Sequence, residues 1–275
     1  METLLLVPVD DSVVFPTMTV TLSVDVGDEE RVLLVPREDG EFAGVGTVAE
    51  VAERVRRRAP DAAVHTDAVQ AAAWLPLADR LAGTDLISIS SHKVGGPQGV
   101  GALVARRGTP LRPLVAGGGQ ERELRSGTHD VAGIVGFAAA LRAAAATRET
   151  TVAATRVRRD RLADGLLRAV PGLVETGPPR ADRLPGTLHV CLPGVESEAV
   201  LFLLDEAGVC ASAASACASG AQQASHVLAA MGVPPERARG ALRLSLGWTT
   251  TDADVDALAA VIPTVVHDLR ERALA

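Results

Sequence analysis

From Asp130 to about Val170 the sequence is an almost unbroken run of Ala, Leu, Val and Arg at helical spacing, relieved only by TRETT at 147–151. Such a stretch forms one long helix or two abutting ones, and the rest of the chain must be arranged on either side of it. Upstream, TVAEVAERVRRRAP places Val48, Val51, Ala52 and Val55 on one helical face and stops at Pro60. AAVH (62–65), DLISIS (85–90) and GVGALVARR (99–107) read as strands, with AVQAAAW as a short helix between the first two. Downstream, TLHVCL (187–192) reads as a strand and SEAVLFLLDEAG (197–208) as a helix. A helix around His226 to Met231, a strand ALRLSL (241–246) and a terminal helix from about Thr251 follow. Strands alternating with helices give an α/β layered sheet, with a second α+β module after Pro171. The boundary is expected near 147–151, inside the helical run. Residues 4–8, 12–24 and 31–36 look strand-like, so the first 45 residues read as a small β-rich segment.

Composition narrows the function. With 47 % hydrophobic and 22 % charged residues the chain is not a disordered one, and no apolar run approaches the roughly 20 residues of a membrane span. METLLLVPVDDSVV lacks the features of a signal peptide. Three cysteines without a CxxC fit a reducing cytoplasm. A net charge of −7 and 2 % aromatic residues provide neither the basic surface nor the stacking platform that nucleic acid requires. The chain is therefore expected to be soluble and cytoplasmic, without membrane or nucleic-acid partners.

Of 27 cationic residues only one is lysine, Lys93. Either one lysine persisted by chance under a coding bias toward arginine, or its chemistry is required. Arginine stays protonated, whereas an amine can lose its proton and attack a carbonyl. Lys93 stands in ISSHKVGGPQGVG, where Ser90, Ser91 and His92 end a strand and meet glycines. Strand ends are where open α/β sheets bind ligands, and hydroxyls, an imidazole and glycine backbone suit a phosphate. Asp67 and Gln70, in HTDAVQ after the preceding strand, reach the same pocket if the two strands are neighbours. Asp67 then faces a protonated ring nitrogen, or it simply caps the turn that follows. Lysine, an acid for a pyridinium and phosphate donors recur together in pyridoxal phosphate chemistry. His65 reads as a satisfied strand-end histidine.

Cys217 lies in ASAASACASGAQQASHVL, a small-residue stretch without apolar periodicity that reads as an accessible loop. Cys191 and Cys210 read as buried small hydrophobes. Arg243, opening RLSLG, suits bidentate recognition of a carboxylate or an ordinary ion pair.

HTDAVQ, DLISISSHKVGGPQGVGALVARR, GGGQERELRSGTHDVAGIVG, SAASACASG and LRLSLGWTTTDADVD, in that order, resemble the pyridoxal-phosphate cysteine desulfurases of the class V aminotransferase group. The resemblance covers most of the chain but only about the C-terminal two-thirds of a full-length enzyme. It implies a partial fold type I large domain over 46–150, a small C-terminal domain over 151–275 and a homodimer. It implies Lys93 as the Schiff-base lysine for pyridoxal 5'-phosphate, Asp67 as the pyridinium partner and Gln70 as donor to the ring hydroxyl. Ser90 and His92 would hold the phosphate, and Thr128 would reach the phosphate of the partner subunit. Arg243 would bind the carboxylate of L-cysteine. Cys217 would take its sulfur as a persulfide for a sulfur-acceptor or iron–sulfur scaffold protein, as in the long-loop subgroup.

The same resemblance implies N-terminal features that are missing here: a phosphate loop bearing glycine and threonine, a histidine stacked on the cofactor and an Asn-Asn-Glu run. DGEFAGVGTV stands in place of the last. Residues 1 to about 49 instead resemble the start of the N-terminal substrate-binding domain of actinobacterial-type Lon proteases, which implies a fusion or a truncated reading frame. Two functions follow as expectations, an active cysteine desulfurase or a non-catalytic remnant that serves dimerisation or acceptor binding.

Overall fold

Apolar spacing at 48–55 makes the first long element of the computed structural model, which describes residues 20–23, 37–38, 41–42, 48–81, 83–213 and 225–274. The expected strands at 4–8 and 31–36, and most of that at 12–24 with the Lon-like stretch, lie outside these residues. The chain divides into two units, Met1–Arg148 and Glu149–Ala275.

In the first unit, β1 (Val20–Ser23), β2 (Arg37–Glu38) and β3 (Glu41–Phe42) precede α1 (Val48–Arg58), and β2 and β3 form an antiparallel pair. One face of α1 is buried, with Val48 and Ala52 packed among Val64, Ala68 and Ala71. Then come β4 (Ala63–Asp67), α2 (Leu77–Arg80), β5 (Leu86–Ser90) and β6 (Gly101–Ala105), in a sheet of order β1-β4-β5-β6. The β4–β5 pair is parallel and the other two pairs are antiparallel.

The helix expected over AVQAAAW is a series of turns instead. The amides of Ala71 and Ala72 both return to the Ala68 carbonyl at 3.0 Å, and those of Trp74 and Leu75 return to Ala71 at 2.9 Å. Pro76 has no amide to continue the ladder and disfavours helical backbone at Leu75, so the segment stops after a turn.

Asp85 fastens this sheet from the end opposite the glycine-rich turn. Its backbone amide donates to the Val64 carbonyl at 2.8 Å, and its carboxylate accepts the Val64 amide at 2.9 Å. Arg56 of α1 donates to both carboxylate oxygens, at 2.9 and 3.0 Å, and to the Gly83 carbonyl at 2.6 Å. Burial alone would raise the Asp85 pKa, but the Val64 amide and the Arg56 guanidinium more than offset it and hold the carboxyl below the ordinary range.

The helical run is a single helix, α3 (Val131–Ala169), and the division between units falls inside it. By length and composition α3 is apolar enough to cross a bilayer, and only 11 % of its most apolar window is buried. Scattered arginines break the runs without making the average polar.

In the second unit, β7 (Val174–Glu175) and β8 (Thr187–Cys191) are followed by α4 (Ser197–Glu206), α5 (His226–Ala230) and α6 (Pro235–Ala238). Then come β9 (Ala241–Ser245) and α7 (Asp252–Leu274). The three strands form an antiparallel sheet of order β7-β8-β9. Alternation places Leu188, Val190, Leu242 and Leu244 on the face covered by Leu162 and Leu166 of α3, Leu204 of α4 and Ile262 of α7. Cys191 and Ala241 face the other way, against Leu228 and Ala238. Helix α7 begins with a reciprocal cap: the Thr251 amide donates to Asp254 Oδ2 at 2.7 Å, and the Asp254 amide donates to Thr251 Oγ1 at 3.2 Å.

Two measurements test this packing. Asp85→Ala leaves the Val64 amide and the Arg56 guanidinium without their acceptor and should cost about 1–3 kcal/mol, read as a lower urea midpoint. His189 is 2 % exposed and bonded through Nδ1 to Thr176 Oγ1. Burial, with the nearby charges of Arg243 and Arg183, pushes it from 6.5 down to about 4. Between those pH values the unfolded imidazole binds a proton that the folded one refuses. Stability should therefore be complete above pH 6.5 and fall by up to about 3 kcal/mol as the pH drops to 4. His189→Gln should flatten that slope in denaturant titrations across the window.

Candidate active site

Parallel pairing puts the carboxyl ends of β4 and β5 at the same end of the sheet, with Asp67 opposite Ser88. The residues after each strand therefore emerge side by side. Asp67 Oδ1 accepts the Val69 amide at 3.0 Å and so turns the chain after β4. The Ala68 amide continues the ladder to the Ser88 carbonyl at 2.8 Å. Gln70 follows on that turn, half-buried. His65, one turn of the pleat earlier, meets Ser88 Oγ through Nε2 at 2.7 Å. Its burial lowers its pKa although Asp67 pulls the other way.

After β5 the chain makes one 3₁₀ turn, Ser91–Val94. Residues three apart share a face of such a turn, and Ser91 and Val94 are the buried ones, Val94 against Ala72 and Phe137. That anchoring leaves His92 and Lys93 exposed. Gly95 closes the turn at φ 82°, a conformation glycine adopts without a Cβ clash. Ser90 Oγ and His92 Nδ1 lie 2.9 Å apart, so the hydroxyl and the imidazole form one polar pair directly before the lysine. The Ser91 hydroxyl is buried with no hydrogen-bond partner among the described residues.

The structure thus brings Asp67, Gln70, Ser90, His92 and Lys93 to one end of one sheet. Thr128 belongs to the same unit and is exposed, just before α3. Arg243 belongs to the second unit, at the centre of β9. Its backbone is bracketed by Ser212, donating to the Ser212 carbonyl at 2.7 Å and accepting the Ser212 amide at 3.2 Å. Arg243 Nε and Ser212 Oγ are both buried without hydrogen-bond partners among the described residues, a donor set suited to an anion. Ser212 was not singled out from the sequence, because nothing in a run of Ser, Ala and Cys marks the one residue that pairs with β9. Cys217 lies outside the described residues. Cys191 is buried, and burial pushes its thiol pKa up. Cys210 is exposed, contrary to the expectation that it is a buried hydrophobe, because it follows the end of α4 instead of sitting in a strand.

The residues at the β4 and β5 ends fit pyridoxal phosphate. They comprise a solvent-reaching amine, a carboxylate already oriented by a backbone amide, and a hydroxyl–imidazole pair beside glycine backbone.

Comparison with known proteins agrees with this geometry. The aminotransferase class-V family profile matches residues 39–258. An IscS-like cysteine desulfurase of Mycobacterium tuberculosis is 46 % identical over 232 residues, 84 % of this chain and 59 % of that one. A cysteine desulfurase of Cereibacter sphaeroides is 45 % identical over 233 residues, 85 % of this chain and 58 % of that one. A solved NifS-like protein superimposes with a TM-score of 0.72 at 35 % identity, over 82 % of this chain and 57 % of its own. The chain therefore spans somewhat less than three-fifths of the length of these relatives. With the profile matched over most of its length, this chain belongs to the class-V aminotransferase family.

Proposed function

We propose that the chain acts as a pyridoxal-phosphate-dependent cysteine desulfurase, converting L-cysteine to L-alanine and leaving the sulfur as a persulfide on Cys217. The observation that carries this reading is the juxtaposition of Lys93 with Asp67 and the Ser90–His92 pair at the adjacent ends of two parallel strands. The names of the relatives support it.

Bound pyridoxal phosphate supplies an electron sink that weakens the bonds at the Cα and Cβ of an amino acid. Lys93 would hold the cofactor through its amine, and as a free amine it would take the proton from the substrate's Cα and return it before alanine leaves. Asp67 keeps a proton on the ring nitrogen by its negative charge, and Gln70 donates to the ring hydroxyl. Ser90 and His92 would donate to the phosphate, and Thr128 would do so for the partner subunit, so that the working unit would be a homodimer. Arg243 holds the substrate carboxylate, filling the donor left without a partner at Nε. Cys217 thiolate attacks the substrate sulfur. The Cβ–S bond breaks with its electron pair on carbon, carbon takes a proton, alanine leaves and the sulfur stays on Cys217. An acceptor or iron–sulfur scaffold protein then receives it.

Protein supplied with pyridoxal phosphate and L-cysteine should form alanine and carry one extra sulfur on the Cys217 peptide by mass spectrometry. Cys217→Ala should form no persulfide and lose at least about 100-fold in alanine production. Arg243→Gln should raise KM for L-cysteine by about 10- to 100-fold, the worth of a charge-assisted hydrogen-bonded pair. Sulfide release by Cys217→Ala at the wild-type rate would refute the assignment.

A further inference from the structure

His65 takes no part in the sulfur chemistry, yet it stands on the face of the sheet that carries the site. Val64 and Thr66 are fully buried on one face of β4, so alternation turns His65 and Asp67 to the other. On β5, Ile87 packs into the cluster around Val64, which leaves Ser88 on the face of His65 and Asp67. The parallel register sets Ser88 opposite Asp67. Ser88 Oγ lies 2.7 Å from His65 Nε2, so the serine that faces the acid across the ladder is also the one that the imidazole grips.

The number of available protons decides how that hydroxyl is used. Burial disfavours the charged imidazole, and a neutral one has a single N–H. If Nε2 is the bare nitrogen, Ser88 spends its only proton on the ring and has lone pairs alone to offer Asp67. If Nε2 carries the hydrogen, the ring donates to Ser88 Oγ and the serine proton is left for the carboxylate. The second arrangement is the stronger, because a hydrogen bond to an ionised acceptor is worth about twice a neutral one. The negative charge of Asp67 does reach the ring, where it works against the effect of burial. The Val69 amide already donates to Asp67 Oδ1 at 3.0 Å, and a carboxylate accepts several bonds at once.

We propose that His65 is a positioning residue for Asp67, acting through Ser88: the Nε2–H tautomer of His65 donates to Ser88 Oγ, and Ser88 donates its proton to the Asp67 carboxylate. Two donors from different elements, the Val69 amide and the Ser88 hydroxyl, then fix the carboxylate where a protonated ring nitrogen would meet it. The inference rests on the proposed role of Asp67 and adds to it the residues that orient the acid.

Ring nitrogen-15 spectra of the full chain, with neither cofactor nor cysteine present, test the tautomer. At alkaline pH, where the imidazole is neutral, His65 should show a protonated Nε2 and a bare Nδ1. Asp67→Ala should move it toward the Nδ1–H form. Titration with pyridoxal phosphate tests the consequence. Ser88→Ala and His65→Leu should each raise its Kd by about 10-fold, the scale of a hydrogen bond to a charged group. His65→Gln, whose amide nitrogen can donate in place of Nε2, should bind like the unsubstituted chain. In an Asp67→Ala background, Ser88→Ala should change nothing further. A bare Nε2 in the unsubstituted chain, a tautomer indifferent to Asp67, or His65→Gln binding as weakly as His65→Leu would each overturn the inference. The spectrum of the unsubstituted chain decides the matter if the variants fail to fold. Unchanged pyridoxal phosphate affinity in Asp67→Ala, with the tautomer as expected, would instead refute the role of Asp67 at the ring nitrogen and leave the orientation of its carboxylate standing.

Discussion

The parallel pairing of β4 with β5 is the constraint on which the first unit depends. Only with both strands running the same way do Asp67 and the Ser90–Lys93 stretch leave the sheet at the same end. Asp85 enforces that pairing from the other end, by bonding to Val64 through both backbone and carboxylate while Arg56 ties it to α1. A carboxylate accepting from the Val64 amide and the Arg56 guanidinium is held in its charged form, so the same group that fixes the register stays a strong acceptor. Chemistry at one end of the strands is thus positioned by electrostatics at the other.

The second unit solves a similar problem in a different way. Its sheet is covered on both faces, and several of its polar groups are held by specific partners. His189 is paired with Thr176, and Arg183 and Arg180 share Glu175. Arg243, opposite His189 in the ladder, keeps a buried nitrogen that no described residue satisfies. That buried donor supports the proposed role of Arg243 in holding a substrate carboxylate.

Much of this was legible in the sequence because it depends on local pattern. The apolar spacing of α1, the helical character of the run that forms α3 and the start of α7 at Thr251 follow from side-chain period and capping chemistry alone, while the continuity of α3 needed the structure. Lys93 stood out because it is the only lysine, and Asp67 because it closes a strand. The turns at 68–74 were misread because alanine favours helix so strongly that the effect of Pro76 was overlooked. Ser212, Asp85 and the exposed β6 were beyond reach, since each is defined by partners, or by uncovered surface, far away in the chain. Leu103 and Val104 have the composition of a core strand, and only the fold shows that nothing described covers them.

Lys93 is proposed as the amine that holds the cofactor. Because Lys93 is the only lysine in 275 residues, borohydride reduction after incubation with one equivalent of pyridoxal 5'-phosphate, followed by peptide mapping, reads it directly. One pyridoxyl group is expected, on the Lys93 peptide, with labelling reduced by about 10-fold in Asp67→Ala, where the lysine remains but the acid does not. Labelling confined to the N-terminal amine, or labelling of Lys93 that is indifferent to Asp67, would contradict it.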